Sequence, residues 1–305
     1  VGVDIPGLTD VVTALAAVTA ADPAGAISAA RQAGAAGSPL GTALADHLSG
    51  VTSGRVYDQP AAFEAFIRGG GNVALYRATS AALAAQYERV APARLLDLGC
   101  GDGLALLPAL AAYGRWPDEV TLLEPSPKLL ATAWAAAIAA APAGTIVSTV
   151  NASAQDFLAR PRPSAPLWDV IESTFALHAL EVGERDDVLR RLALATDTLV
   201  IVEFDVPSFI AGSTEQLHYL ATHYERGLAE YADTPEGTLV NSGFLLPVLV
   251  GQLAPGAVRS TWEQPASAWV AQVERAGFTE VAVERVADYW WAPAFVLTAR
   301  GHPAP

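Results

Sequence analysis

The chain has 305 residues and a net charge of −14, from 18 basic and 32 acidic side chains; 52% of its residues are apolar and 16% charged. That length supports one large domain or a domain with a smaller cap, and that hydrophobicity excludes disorder as the main state. An acidic surface without a Lys/Arg cluster excludes nucleic acid as an expected partner, and a single cysteine, Cys100, excludes a disulfide framework and a Cys-based zinc site.

The N-terminal apolar stretch has no basic residue ahead of it and is broken by Asp10, Asp22 and Pro23. A signal peptide needs a positive leader, and a membrane span needs about 20 uninterrupted apolar residues, so the expected location is the cytoplasm. Residues 1–50 are Ala-rich with breaks at Pro23, Gly25 and 34–39, which predicts two or three short helices without chemistry. In 51–90 the aromatic residues Tyr57, Phe63, Phe66, Tyr76 and Tyr87 crowd together, and Phe63, Phe66 and Ile67 share one helix face. Gly69-Gly70-Gly71-Asn72 between them reads as either a hinge or a close approach of backbone to a ligand.

From residue 93 apolar runs alternate with helical patterns. Strands are expected at 94–98, 120–123, 145–150, 168–171 and 198–202, and helices at 104–113, 126–141, 152–159 and 185–195. Short continuous apolar strands between helices predict an α/β fold with a parallel sheet covered on both faces. Residues 208–260 interrupt this pattern with a helix at about 214–231, carrying Leu217, Leu220, Tyr224, Leu228 and Tyr231 on one face. An apolar segment punctuated by Gly and Pro follows it. A helix at about 266–276, closed by Gly277, and strands at 279–286 and 290–299 complete the chain.

The motifs fall at strand ends. Leu95-Leu96-Asp97-Leu98-Gly99-Cys100-Gly101-Asp102-Gly103 sends a buried strand through three alternating glycines into a helix, where backbone can meet a ligand without Cβ interference. Leu104 occupies the third glycine position of the dinucleotide fingerprint, so that motif is absent. Glu124 ends the second strand near the roughly 20-residue spacing at which an acid holds ribose hydroxyls. After the third strand, Asp156 is placed to accept from an adenine amino group beside Phe157, while Asn151 or Ser153 suits a helix cap.

Together with Gln155 and the strand Trp168-Asp169-Val170-Ile171-Glu172-Ser173, these residues resemble class I S-adenosylmethionine (SAM)-dependent methyltransferases over about 91–207, and again over about 266–299. The resemblance implies a Rossmann-like, seven-stranded, mostly parallel sheet with an antiparallel last strand. It implies four segments: 1–90 as helices and lid, 91–207 as core, 208–260 as an inserted cap, and 261–305 completing the core. It further implies a cofactor site of Tyr57, Asp97, Gly99, Cys100, Gly101, Glu124, Pro125, Gln155, Asp156, Phe157, Glu172 and Ser173. Tyr57 or Tyr76 would close over the cofactor as a lid aromatic.

His178, past the fourth strand, is the expected general base, with a capping or packing role as the alternative. Glu172 is expected either in catalysis or on the cofactor. Phe63, Tyr76, His178, His223 and Tyr224 are the expected substrate contacts. His218 and His223 lie about 140° apart on a helix, so no metal is expected unless His178, Glu203 or Asp205 completes a site. Trp262, Trp269, Tyr289, Trp290 and Trp291 suit either a pocket wall or the core.

The expected activity is O-methylation of a small, largely apolar or aromatic metabolite. The Ala-rich, Lys-poor composition resembles that of high-GC actinobacterial proteins and points to secondary metabolism. N- or C-methylation and a non-methylating cyclisation or rearrangement are the alternatives; a binding protein without turnover is disfavoured by the intact glycines and acid. No nucleic-acid or membrane partner is expected, and a homodimer through 1–50 is left open.

Overall fold

The computed structural model describes residues 5–50, 60–159, 168–257, 259 and 261–302. Three helices come first, α1 (Leu8–Thr19), α2 (Pro23–Ala35) and α3 (Pro39–Leu48), then α4 (Pro60–Arg68) and α5 (Asn72–Val90). Strands and helices then alternate through β1 (Arg94–Leu98), α6 (Leu106–Tyr113), β2 (Glu119–Leu123), α7 (Pro127–Ala140), β3 (Ile146–Val150) and α8 (Ala154–Ala159). The alternation continues through β4 (Trp168–Thr174), a 3-10 turn at Leu177–Ala179, α9 (Val182–Ala193) and β5 (Thr196–Phe204). Next come α10 (Thr214–Ala229), α11 (Gly237–Val240), a π-helical turn at Asn241–Leu245 and α12 (Leu246–Leu253). The described chain ends with α13 (Ala266–Arg275), β6 (Thr279–Ala287) and β7 (Ala294–Arg300).

These elements form two compact units. One comprises Ala74–Pro207, Thr261–Asp288 and Ala292–Pro305; the other comprises Val1–Val73, Ser208–Ser260 and Tyr289–Trp291.

The first unit is built on a seven-stranded sheet of order β3-β2-β1-β4-β5-β7-β6. Strands β1 to β5 run parallel, and β7 lies antiparallel between β5 and β6. This is the mostly parallel sheet with an antiparallel last strand that the resemblance implies. Leu83, Tyr87, Leu106, Leu110 and Leu130 pack on one face against Leu95, Val120, Val170 and Val200. Leu158, Val188, Leu189, Leu192, Trp269 and Val273 cover the other face, against Leu96, Ile171, Leu199 and Ile201. Each such leucine contributes about 1.5–3 kcal/mol by leaving water. Central strands buried on both faces must be apolar throughout, whereas the outermost strands β3 and β6 are largely exposed.

Strands β4, β5 and β7 differ most from the sequence expectation, β5 running two residues further at each end, over Thr196–Phe204. Strand β4 continues to Thr174 because Glu172 and Ser173 stay in the ladder while buried, so the apolar run ends before the strand does. Strand β7 begins at Ala294 because Trp290 and Trp291 belong to the other unit.

The second unit is helical. Asp22 and Ser38 cap α2 and α3 by accepting from the amides of Gly25 and Gly41, and each helix opens with proline, which has no amide to leave unpaired. Leu217, Leu220, Tyr224 and Leu228 are buried along one face of α10, as their spacing predicts. Gly227 on that helix leaves room for the Trp290 ring, which a Cβ would meet at 2.9 Å. Tyr224 lies 5.6 Å from the Trp290 ring and 5.7 Å from that of Trp291. Glu225 is buried and accepts from Ser38 Oγ at 2.9 Å and the Leu40 amide at 3.1 Å, tying α10 to the start of α3. The Gly/Pro-punctuated segment after α10 is helical, with Pro247 in the first turn of α12 and the π turn joining it to α11.

The triple glycine packs against its own chain. The Gly71 amide donates to Glu230 at 2.8 Å, and a Cβ on Gly70, whose φ is +50°, would stand 2.8 Å from the Tyr231 ring. The Tyr231 hydroxyl donates to the Phe66 carbonyl at 2.7 Å and accepts from Asn72 Nδ2 at 2.9 Å, while Tyr289 donates to Asn72 Oδ1 at 3.0 Å. The close approach is therefore to Tyr231 and Glu230. Among the described residues no helix is long and apolar enough to cross a membrane. Gly70→Ala combines a left-handed backbone with a clash on a buried ring, so it should destabilise the protein by about 1–3 kcal/mol in urea unfolding.

Candidate active site

Strand β1 delivers Asp97 to the C-terminal edge of the sheet, and the chain turns through Gly99, Gly101 and Gly103, with φ of +80°, +55° and +83°. All three angles favour glycine, but the space around each differs. A Cβ at Gly99 would meet the Ala176 Cβ at 2.5 Å, and one at Gly103 would meet Leu107 at 3.1 Å. A Cβ at Gly101 would have nothing within 4 Å. Gly99 and Gly103 thus serve packing, while Gly101 borders open space where a ligand can lie along the backbone.

Glu124 braces this loop from the end of β2. One carboxylate oxygen accepts from the Gly101 amide at 3.1 Å and the other from the Ser126 amide at 2.9 Å. Each oxygen has a second lone pair, so the side chain retains acceptor capacity. Asn151 Nδ2 donates to the carbonyls of Glu124 and Pro125, both at 2.9 Å, fixing the turn into α7. Gln155, Asp156 and Phe157 lie on α8. Ser153 Oγ accepts from the Asp156 amide at 3.1 Å and donates to its carboxylate at 2.8 Å, so Ser153 caps the helix while Asp156 remains exposed. Phe157 packs on Trp168, ring centroids 5.8 Å apart.

Beneath the glycine loop lies a buried acidic pair. Asp97 and Glu172 are register partners on β1 and β4, 4% and 1% exposed. The Tyr87 hydroxyl of α5 donates to Glu172 Oε2, and Glu172 Oε1 has no hydrogen-bond partner among the described residues. Burial pushes the Glu172 carboxyl up to about 7 against the opposing bond from Tyr87. Burial, then the neighbouring charges of Glu172 and Glu124, holds Asp97 well above the usual carboxylate range. Ser173 Oγ donates to the Leu98 carbonyl at 2.8 Å, and Ser80 Oγ to the Ala105 carbonyl at 2.9 Å, locking β4 and α5 to the loop. Cys100 is buried, and burial and nearby acids push its thiol up, which disfavours the thiolate.

Beyond β4 the chain makes the 3-10 turn that carries His178. Its Nδ1 lies 2.8 Å from Glu203 Oε2, and its amide donates to Glu203 Oε1 at 3.1 Å. A histidine held this way keeps Nε2 for other chemistry. The turn is clamped from below by Arg185, fully buried, which donates to the Leu177 and Trp262 carbonyls and stacks on Trp269. Phe175, at φ +49°, stacks on Phe204 with centroids 4.5 Å apart and meets Tyr76 edge-on at 5.9 Å.

The structure therefore brings Asp97, Gly99, Cys100, Gly101, Glu124, Pro125, Glu172, Ser173, Tyr76 and His178 into one unit, at strand ends or against them. Tyr57 lies outside the described residues. Phe63, His223 and Tyr224 belong to the helical unit, where Phe63 packs on Phe244 and His223 stacks on Tyr219 while donating from Nδ1 to its carbonyl. Trp269 is fully buried, and Trp290 and Trp291 are 9% and 8% exposed, so these three rings are core. Among the described residues no group of three or more His, Cys, Asp or Glu could hold a metal ion. Sequence reasoning missed Tyr87 as the donor to Glu172 and considered Glu203 only as a metal ligand. Glu203 could have been found as an acid just before the end of an apolar strand.

The open backbone at Gly101, the spare acceptors of Glu124 and the unpaired oxygen of Glu172 fit a ligand with hydroxyls and positive charge, as SAM has. Residues 95–197 match the family profile described as a methyltransferase domain. No curated protein sequence matches the chain. Among solved structures the chain is similar to the mitomycin 7-O-methyltransferase MmcR, at 19% identity and TM-score 0.51, over 92% of this chain and 72% of that one. It is also similar to the SAM-dependent methyltransferase SibL in its apo form, at 16% identity and TM-score 0.53, over 85% of this chain and 69% of that one. A third match, PigF with SAH, is 16% identical at TM-score 0.45 over 71% of this chain. The chain spans about half the length of PigF and of one further match, 53% and 55%. At these identities the likeness to solved structures is one of fold, while the profile match adds the domain's identity. Over residues 95–197, from β1 to the start of β5, the chain is similar to a methyltransferase domain.

Proposed function

We propose that the protein is a SAM-dependent O-methyltransferase acting on a hydroxyl of a small, largely apolar or aromatic metabolite. The observation that carries this reading is the His178–Glu203 dyad at the same sheet edge as the open Gly101 backbone. In this reading Gly99, Gly101 and Glu124 hold the cofactor, with Glu124 on its ribose and Asp156 toward its adenine. Bound SAM supplies an electrophilic methyl group on a sulfonium. His178 accepts the hydroxyl proton at Nε2, and Glu203 fixes the ring through Nδ1 and stabilises the imidazolium that forms. Tyr76, Phe175 and Phe204 offer apolar aromatic surface to the acceptor. The 99–103 loop carries no basic side chain and one acid, Asp102, so it offers no cationic approach for a polyanion.

The dyad has a defined pH signature. Burial alone would lower the His178 imidazole, but the Glu203 charge and hydrogen bond, helped by Glu263, raise it from 6.5 to about 9. A folded value above the unfolded one means that protonated His178 stabilises the fold fully below about 6.5, and that this stability is lost as pH rises through about 9. Turnover needs the neutral ring, so its rate should climb with pH to a plateau above about 9 while urea stability falls over the same window. His178→Ala should abolish both trends and cut turnover by about 10²–10⁴-fold, with SAM affinity unchanged in calorimetry.

The direct test is calorimetric titration of the full chain with SAM and with S-adenosylhomocysteine (SAH), followed by assay of SAH release with a panel of hydroxylated aromatics. Saturable binding of both, and SAH release with a phenolic acceptor, is the expected result. An intact protein that binds neither overturns the reading. Glu124→Ala should weaken SAM by about 10–100-fold, because it removes a ribose acceptor and the brace on Gly101 together.

A further inference from the structure

We infer that the Asp97–Glu172 pair distinguishes the charged methyl donor from its uncharged product, losing a proton when a cation enters the site and regaining one when that charge is gone. The inference rests on the reading of this site as one for SAM.

The pair is placed for this role by geometry. Asp97 and Glu172 sit opposite each other on adjacent parallel strands, and both are almost wholly buried. Two carboxylates this close in a buried site do not both ionise cheaply unless a cation joins them. The charged and titratable groups acting on them are Tyr87 from α5, Glu124 from β2, and each other across β1 and β4. In the loop beyond β1, Cys100 feels Asp97 from its buried thiol, and Asp102 adds a further negative charge. On the β5 side the acid is Glu203, which His178 engages. None of the causes acting on the pair is a cation. Glu172 Oε1, buried and without a hydrogen-bond partner, is the atom the fold leaves unsatisfied. A buried acceptor of that kind is costly unless it is protonated or meets a positive ligand.

The proton balance is simple. SAM carries one positive charge more than SAH, on its sulfonium. When the pair meets that charge, one carboxyl loses its proton to solvent. When the methyl group leaves, the sulfonium becomes a neutral thioether, and the pair takes a proton back from solvent. This proton is separate from the one His178 removes from the acceptor. The ammonium and carboxylate of the amino-acid end are common to SAM and SAH, so SAH is the control for their titration.

The experiment is calorimetric titration of the full chain with SAM, and separately with SAH, at pH 7 in two buffers of different ionisation enthalpy, repeated from pH 6 to 8. The expected result is buffer-dependent heat, reporting released protons, with SAM and markedly less with SAH. SAM affinity should rise with pH by at most about tenfold per unit, while SAH affinity stays nearly flat. Glu172→Gln should abolish the difference in proton release and bring the two affinities together. Tyr87→Phe removes a bond that lowers the Glu172 carboxyl, so it should move the rise in SAM affinity to higher pH. Equal proton release for SAM and SAH, or none, overturns the inference and leaves the SAM reading standing. Binding of neither overturns both. If Glu172→Gln does not melt cooperatively, the wild-type buffer comparison and Tyr87→Phe decide.

Discussion

One carboxylate, that of Glu124, accepts hydrogen bonds from the backbone of two loops at once, and the arrangement of the site follows from it. Through Gly101 it fixes the turn after β1, and through Ser126 it fixes the entry to α7. Backbone bonds extend the same scaffold sideways: the Gly99 and Cys100 amides reach the Leu123 carbonyl, and the Glu124 amide reaches that of Val150. Three parallel strand ends are thereby held to one another before any ligand is considered. This is how a parallel sheet turns its carboxyl edge into a binding surface, with irregular backbone held by polar groups that regular secondary structure would have consumed.

The acids at this edge are treated in two different ways. Glu203 is matched by His178 within hydrogen-bond distance, so its charge is compensated inside the protein. Among the described residues Asp97 and Glu172 meet no cation and only the Tyr87 hydroxyl as a side-chain donor, so their compensation has to come from protons or from outside. Uncompensated buried acids are destabilising, and a chain with a net charge of −14 adds an unfavourable background to them. Their position under the glycine loop is the arrangement expected where stability is surrendered to chemistry. Phe175 fits the same pattern, since a bulky residue with positive φ at a strand end carries backbone strain beside the turn that holds His178.

Much of this was legible in the sequence, for identifiable reasons. Strand β1 was read to within a residue because a strand buried on both faces cannot tolerate polar residues, so the apolar run and the strand coincide, and the exposed edge strand β3 was legible from its β-branched run Ile146, Val147, Thr149 and Val150. Strand β4 broke that rule at its end, where Glu172 and Ser173 are buried in the ladder. The glycine loop and Glu124 were legible because spacing along the chain reflects spacing at a strand end. Partners distant in sequence were not legible: Tyr87 meets Glu172 from a helix whose pattern advertises only packing. The triple glycine was read as a hinge or as a close approach to a ligand, whereas it packs against the chain's own Tyr231 and Glu230, which nothing local identified. The helical run from α11 to α12 was hidden because Gly237 and Pro247 read as breaks. Gly237 in fact packs against the Tyr231 carbonyl, which a Cβ would meet at 2.2 Å, and Pro247 sits where a helix tolerates it.

The helical unit draws on three separated stretches of chain, the last being only Tyr289 to Trp291. Those residues supply rings that pack on Tyr224 and a carbonyl that accepts from Tyr219 at 2.6 Å, and the Tyr289 hydroxyl binds Asn72. During synthesis, α1 and α3 therefore emerge without α10, and α4 without α11, the later elements they pack on, and α10 in turn waits for the tripeptide 289–291. Contacts of such long sequence separation close late, after the loop entropy has been overcome. The Ala-rich N-terminal helices must pass that interval with apolar faces uncovered, so assembly of this unit is the step most exposed to misassociation while the chain is still growing.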